Sequence, residues 1–471
     1  MAPRFIFLRL FLPVTLFVSI AAAQIDFSQV AINSEDTSTA SIAEGDFDND
    51  GVLDLVTVNE TSLSFYKGLG NATYASPINQ PLPQYRGQAF AADFNRDGNL
   101  DLAIGAGPYS GIGGVTILLG NGDGTFRQGT NIPVKGNANY IALADFNGDH
   151  LPDIAVSTGE VFLGKGDGTF RRSATLPEAG NQILTGDFNA DGNQDVVTIA
   201  SDIVLYLGKG NGRFKPPLHS GLSASSIAVG DFYNDRVQTL VALISIYGGQ
   251  GNFENDLYSL RYSQGQLLVE NKYVINPESG DPFMRVIGGD LDGDFKDDIF
   301  LVGGNFMGSA VSGYMLGNGD GTFRPPQPAP YWMDLQDFPV VRDLDLDGRH
   351  DIAIAWTSIF DNIGGAEALR NTNAKVNCTP PRPDGLSVHV CAPKNGQQVG
   401  QTFTFRAAGN ARSGYAKRME LWIDGKKVAQ NLEDQLKAKI SLTRGDHAAS
   451  FVVVDSFDKH VSKPVKFSAS Y

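Results

Sequence analysis

A chain of 471 residues is too long for one ordinary core, so two or more domains or a repeat array are expected. Lys and Arg number 37 against 52 Asp and Glu, a net charge of −15, which argues against nucleic-acid binding because that needs a basic surface. Hydrophobic content of 42% is ordinary for a globular protein, and 54 glycines point to many turns.

The first residues read as a secretory signal over 1–23. Arg4 and Arg9 supply the positive region, and Leu10 to Ile20 is an apolar run too short to cross a bilayer. Ala21-Ala22-Ala23 is a small-residue cleavage site, and no later stretch is apolar for long enough to be a second span. The expected product is secreted or extracellular, with the periplasm or cell surface as variants, free of a membrane span after cleavage, and monomeric.

From residue 24 to about 375 one pattern recurs. Seven acidic stretches begin at Asp46, Asp93, Asp145, Asp187, Asp231, Asp290 and Asp343. Their spacing of 42 to 59 residues suits a four-stranded propeller blade and is too long for leucine-rich or ankyrin repeats. In each unit an apolar run (Tyr140–Ala144, for example) precedes the acidic loop and a β-branched run (Asp153–Val156) follows it. A glycine-rich turn comes later, clearest at Leu119–Phe126 and repeated at Leu163–Phe170, Leu207–Phe214 and Leu316–Phe323. Asp-Gly or Asn-Gly between apolar runs signals a hairpin, since φ > 0 is needed there. Each unit therefore reads as an antiparallel meander A–B–C–D, with the acidic loop joining A to B and the Gly-rich turn joining C to D. The seventh unit lacks its Gly-rich turn, while Ile25–Ile32 lies ahead of the first strand A and its Phe27 mirrors Phe126 and Phe170. The N-terminal strand is expected to complete the last blade, which ties the ring and removes exposed sheet edges. The fold class is all-β: a seven-bladed β-propeller closed by the N-terminal strand.

The acidic loops carry oxygens at positions 1, 3, 5 and 9. The first offers Asp46, Asp48, Asp50 and Asp54; the second Asp93, Asn95, Asp97 and Asp101; the third Asp145, Asn147, Asp149 and Asp153. The fourth offers Asp187, Asn189, Asp191 and Asp195; the sixth Asp290, Asp292, Asp294 and Asp298; the seventh Asp343, Asp345, Asp347 and Asp351. Hard oxygens at alternate positions of a tight turn are what Ca²⁺ takes, at about 2.3–2.6 Å. The loops match the first half of an EF-hand, but the Glu at position 12 and the flanking helices are missing. The fifth loop keeps Asp231 and Asp235 but has Tyr233 and Thr239 at positions 3 and 9. Six structural Ca²⁺ sites and one empty loop are expected. Position 6 is Gly except for His150, Arg236 and Phe295.

On these residues the units resemble FG-GAP repeats, also catalogued as VCBS-type repeats, the blade motif of the integrin α-subunit head. The resemblance implies a seven-bladed propeller with Ca²⁺ in the A–B loops. It does not extend to the transmembrane leg or downstream domains of an integrin.

Residues 376–385, with Pro380-Pro381-Arg382-Pro383, read as a stiff linker. Residues 386–471 show alternating strands at Thr402–Arg406, Met419–Ile423, Lys439–Leu442, His447–Val454 and Val465–Ser468, with a hairpin turn at Asp424-Gly425. That suggests a small sandwich resembling bacterial Ig-like modules. Cys378 and Cys391 are the two cysteines, and an exported chain permits a disulfide between them.

In such a meander the acidic and Gly-rich turns share one face, and the B–C and D–A connections share the other. Long connections there carry Tyr109, Asn305, Phe306, Tyr331, Trp332, Phe360 and Asp361, the candidate ligand-binding residues. The six histidines form no metal-ligand spacing, and neither a phosphate loop nor a nucleophile elbow is present. No catalytic residues are assigned. The expected function is non-catalytic binding or adhesion to an extracellular protein or glycan. The alternative is a carbohydrate-active enzyme, a polysaccharide lyase or hydrolase, on the same scaffold.

Overall fold

A computed structural model describes residues 25, 27–32, 39–82, 87–106, 113–249, 252–275, 283–304, 310–329, 339–347, 349–357, 364–372, 378–379, 381, 385–410, 416–432, 434–455, 457 and 459–470. The signal-like segment 1–23 lies outside them. The described residues are all-β, with no helix long and apolar enough to cross a membrane.

Seven four-stranded antiparallel sheets follow one another in the chain. The third is typical: Ile141–Ala144, Asp153–Val156, Glu160–Gly164 and Phe170–Thr175, paired in that order. The β-branched second strands are buried, as in Asp195–Ile199, which is what a strand covered on both faces requires; the exception is the far end of Thr239–Gly249, where Ile246 and Tyr247 are exposed. The seventh sheet takes three strands from Val340–Arg342, Asp351–Thr357 and Gly364–Asn371. Its fourth is Phe27–Ile32, which pairs antiparallel with Gly364–Asn371 from Phe27↔Asn371 to Ile32↔Ala366. The fifth sheet departs most from the repeat. Its second and third strands form a long hairpin, Thr239–Gly249 with Asn252–Ser263, and the third joins the fourth through a two-residue turn, Gln264-Gly265, in place of the longer Gly-rich turn.

The hydrophobic cores lie between the sheets. Sheets one and two share a cluster with Phe47, Val56, Leu102 and Phe126, and each later pair of neighbours has its own. The seventh sheet packs back on the first through Leu55, Tyr66, Ala353 and Ala368. The packing therefore returns on itself.

A repeated lock joins neighbours. The Phe at position 2 of an acidic loop meets the Phe that ends the next sheet's Gly-rich turn edge to face. The pairs are Phe47–Phe126, Phe94–Phe170, Phe146–Phe214 and Phe232–Phe323, with centroids 5.5–5.7 Å apart. Such pairs add roughly 0.5–1.5 kcal/mol beyond their burial. The same turns donate a backbone N–H back across the junction, as from Gly212 to the Phe146 carbonyl at 2.8 Å. Gly124 shows why glycine is needed there: its φ is +81°, and a Cβ would lie 2.2 Å from the Phe65 ring.

The C-terminal unit is two sheets over one core. Three strands (Ser387–Ala392, Thr402–Asn410, Gln435–Ser441) face five (Gln397–Gly400, His460–Ser470, Gly445–Asp455, Ala416–Ile423, Lys426–Asn431). Phe405, Met419, Leu421, Phe451 and Val453 fill the space between them. Asp424 and Gly425 both have φ > 0 and turn the hairpin there. Cys378 and Cys391 form a disulfide.

Candidate metal centres and a central cavity

The acidic loops owe their shape to Asp side chains bonding their own backbone. In the fourth loop Asp187 Oδ1 accepts the Asp191 N–H at 3.1 Å and Oδ2 accepts the Gly192 N–H at 2.9 Å. Asp191 Oδ1 in turn accepts the Asn193 N–H at 2.9 Å. Positions 4 and 6 are left-handed, as in Ala190 at φ 56° and Gly192 at φ 87°. His150 and Phe295 hold φ of 63° and 71° at position 6 despite their Cβ atoms. Both loops have Gly at position 4, Gly148 and Gly293, so one of their two left-handed residues is free of that cost.

Position 9 is the anchor. Asp195 has no exposed surface; its Oδ2 accepts the Phe188 N–H at 2.9 Å and its Oδ1 the Gly208 N–H at 2.7 Å. Asp54, Asp101, Asp153, Asp298 and Asp351 repeat this, each tying position 2 of the loop to the end of strand C at 2.7–3.0 Å. Burial pushes Asp54, Asp101 and Asp195 up to about 7 and Asp153 to about 8; backbone N–H bonds pull the other way, and neighbouring loop carboxylates add to the rise. Asp298 and Asp351 are driven well above the usual range by burial and by nearby carboxylates.

Three loops bring carboxylate oxygens from positions 1, 3 and 5 within 4.8 Å of one another: Asp46, Asp48 and Asp50; Asp290, Asp292 and Asp294; Asp343, Asp345 and Asp347. The donor set suits a hard divalent cation. Burial and the charges of Asp292, Asp294 and Asp297 push the Asp290 carboxyl well above its ordinary range, which a bound cation would reverse. In loops two, three and four the position-3 amide donates to the position-5 carboxylate at 2.9–3.0 Å, through Asn95, Asn147 and Asn189.

Protein cations also serve these loops. Lys67 pairs with Asp48 and, at 2.5 Å, with Asp50. Lys296 meets Asp294 at 2.8 Å. Loop seven is supplied twice, by buried Arg349 on Asp347 and by Arg370 on Asp345. In loop five the donors are committed elsewhere: Thr239 Oγ1 donates to the Gly230 carbonyl at 3.0 Å, and Arg261 pairs with Asp235 while lying 5.1 Å from the Tyr233 ring centre. Among the described residues that loop brings no three carboxylates together.

The proposed ligand residues Tyr109, Asn305, Phe306, Tyr331, Trp332, Phe360 and Asp361 all lie outside the described residues. The structure adds features that the repeat pattern did not flag. The C-terminal unit reaches the acidic-loop face: His150 Nδ1 lies 3.2 Å from the Phe457 carbonyl, Arg342 donates to Asn410 Oδ1 at 3.1 Å, and Lys437 Nζ lies 5.1 Å from the Phe295 ring centre. Position 8 of loops five and six also acts at a distance. Gln238 accepts the Asp187 N–H at 2.6 Å, and Asp297 accepts that of Asp231. The first strands of sheets two to seven surround a central cavity of about 390 Å³, bounded also by Leu432, Asp434 and Phe457.

An FG-GAP-like repeat model matches residues 46–104, 93–156 and 187–241. Each match begins on the first Asp of an acidic loop. No curated protein matches the chain significantly. Among solved structures, BBS1N in complex with ARL6DN is 10% identical over 74% of this chain and 98% of its own, with a TM-score of 0.48. An Agrocybe aegerita lectin recognising non-reducing terminal N-acetylglucosamine is 17% identical over 64% of this chain and 80% of its own, TM-score 0.41. Fibronectin(III)-like modules of Clostridium thermocellum CbhA are 22% identical over 18% of this chain and 97% of their own, TM-score 0.17.

Proposed function

We propose that the seven sheets are the blades of one closed propeller, that Ca²⁺ in its acidic loops stabilises it, and that the exported protein binds an extracellular protein or glycan without catalysis. The C-terminal sandwich serves as an Ig-like spacer or second contact. The observation that carries the binding reading is the docking of that sandwich on the acidic-loop face, through Phe457, Asn410 and Lys437. With that face partly covered, the B–C and D–A connections form the face left for a partner, and functional residues concentrate on loops held by a rigid scaffold. The FG-GAP-like matches and the carboxylate clusters support the Ca²⁺ assignment. The disulfide supports an oxidising compartment.

Position-1, -3 and -5 side chains of loops one, two, three, four, six and seven would hold the ions, with the position-9 carboxylate behind them. The ions supply charge neutralisation at buried corners and no chemistry. The test is binding of the mature protein to glycan arrays and to cell surfaces, with and without Ca²⁺. Binding that fails in chelator and returns with Ca²⁺ is expected. Absence of binding together with turnover of a polysaccharide would overturn the reading.

A further inference from the structure

The central cavity differs from the acidic loops in chemistry. Its volume, about 390 Å³, lies within the range of small-molecule sites, and far exceeds the roughly 30 Å³ share of one water. Its walls are largely apolar, including Phe90, Leu184, Val229 and Ile287. One end is completed by the C-terminal unit, which contributes Leu432, Asp434 and Phe457. Two polar atoms there are withdrawn from solvent and have no hydrogen-bond partner among the described residues: Asp434 Oδ1 and His350 Nδ1. A buried polar atom left unpaired is destabilising, because it has given up water without gaining a partner. Two of them, one from each unit, bordering the same apolar cavity mark a place built for something polar on one side and apolar on the other. Nearer the other end, Arg285 Nη2 donates to Tyr140 Oη at 3.0 Å, a bond between sheets six and three across the cavity.

We propose that this cavity binds a neutral, monosaccharide-sized polyol, anchored by Asp434 and His350 and packed against Phe457 and the apolar walls. A hydroxyl both donates and accepts, so adjacent hydroxyls satisfy the carboxylate and the imidazole in either tautomer of the ring. Ring C–H groups suit the Phe90 and Phe457 faces. An anion is disfavoured because Asp231, Asp297 and Asp434 all border the cavity. A cation is disfavoured by Arg285 and Arg342, and because Asp231 and Asp297 are already engaged by backbone N–H groups. This site is separate from the outer-loop surface proposed above, and either can fail without the other.

The test is calorimetric titration of the full mature protein with neutral hexoses and cyclitols, and with uronic acids as the anionic arm. One-site saturable binding of a neutral polyol is expected. It should weaken at least tenfold in Ala91→Trp, which fills the cavity, and in Asp434→Asn, which keeps shape but removes the carboxylate. Thermal melting reports whether each variant folds, and Asp434→Asn decides if Ala91→Trp does not. Glycan-array binding by the outer loops should survive both. The proposal is overturned if no neutral polyol binds up to ~10 mM, which leaves the cavity to water, if binding persists unchanged in a folded Ala91→Trp or in Asp434→Asn, or if uronic acids bind preferentially.

Discussion

His150 Nδ1 lies 3.2 Å from the carbonyl oxygen of Phe457, joining the third acidic loop to the C-terminal unit. Phe457 is only 4% exposed and joins the hydrophobic cluster between sheets two and three, which includes Phe94 and Ile141. The two loops whose position 6 is an ordinary side chain packing on the C-terminal unit, His150 and Phe295, are thus explained by docking.

Phe457→Ala should therefore loosen the docking more than it harms either unit. A buried Phe→Ala change costs about 3–5 kcal/mol in a core, and here the loss falls on the interface. Calorimetry should show one transition splitting into two, with faster protease cleavage in the 376–385 linker. A single transition with unchanged cleavage would contradict this.

Chelation and pH are linked. Unfolded, the position-9 carboxyls titrate near 3.8; folded without metal, Asp54, Asp101 and Asp195 lie at about 7 and Asp153 at about 8. Between those values the folded state binds more protons than the unfolded one, so stability falls as pH rises. In chelator the melting midpoint should drop steadily from about pH 4 to about pH 8. Ca²⁺ should flatten that slope, because the cation favours the ionised carboxylates. Equal slopes with and without Ca²⁺ would refute it.

Within one loop two carboxylates should behave differently. Asp195→Ala strands the buried N–H groups of Phe188 and Gly208, and should cost about 2–5 kcal/mol whether or not Ca²⁺ is present. Asp191→Ala removes an exposed side chain at position 5, and should matter mainly with Ca²⁺. Paired denaturation curves in chelator and in Ca²⁺ separate the two.

The Cys378–Cys391 bond closes a short loop at the start of the C-terminal unit, with a sequence separation of 13. Replacing both by Ser should lower stability by roughly 3 kcal/mol on the chain-entropy model. The effect should appear in the C-terminal transition and leave Ca²⁺ binding untouched, as read by calorimetry and Ca²⁺ titration.

The acidic loops and the strands beside them were legible in the sequence because both are local: the 1-3-5-9 pattern and the β-branched run lie within one stretch of chain. Pairing of the N-terminal strand with the last sheet was legible from a missing turn and from Phe27. What lay beyond reach was long-range. Asp195 reads as a ligand, yet its bond to Gly208 depends on strand pairing. Gln238 and Asp297 act on the preceding loop, and nothing local marks them. The long hairpin of sheet five carries its glycines, Gly248, Gly249 and Gly251, where its second strand meets its third and lacks the Leu-Gly-x-Gly pattern of units two, three, four and six, and strands Ser387–Ala392, Gln397–Gly400 and Lys426–Asn431 are short or mixed in polarity. The cavity needs six sheets and the C-terminal unit at once.

The pairing of Phe27 with Asn371 sets an order of events in synthesis. Phe27–Ile32 cannot find its partner until nearly the whole repeat array has been made. Such distant contacts slow folding, and an unpaired strand is a template for wrong pairing. The folding chain must therefore keep that segment apart from its neighbours until the last sheet arrives, which makes the incomplete chain, rather than the finished fold, the stage most exposed to aggregation.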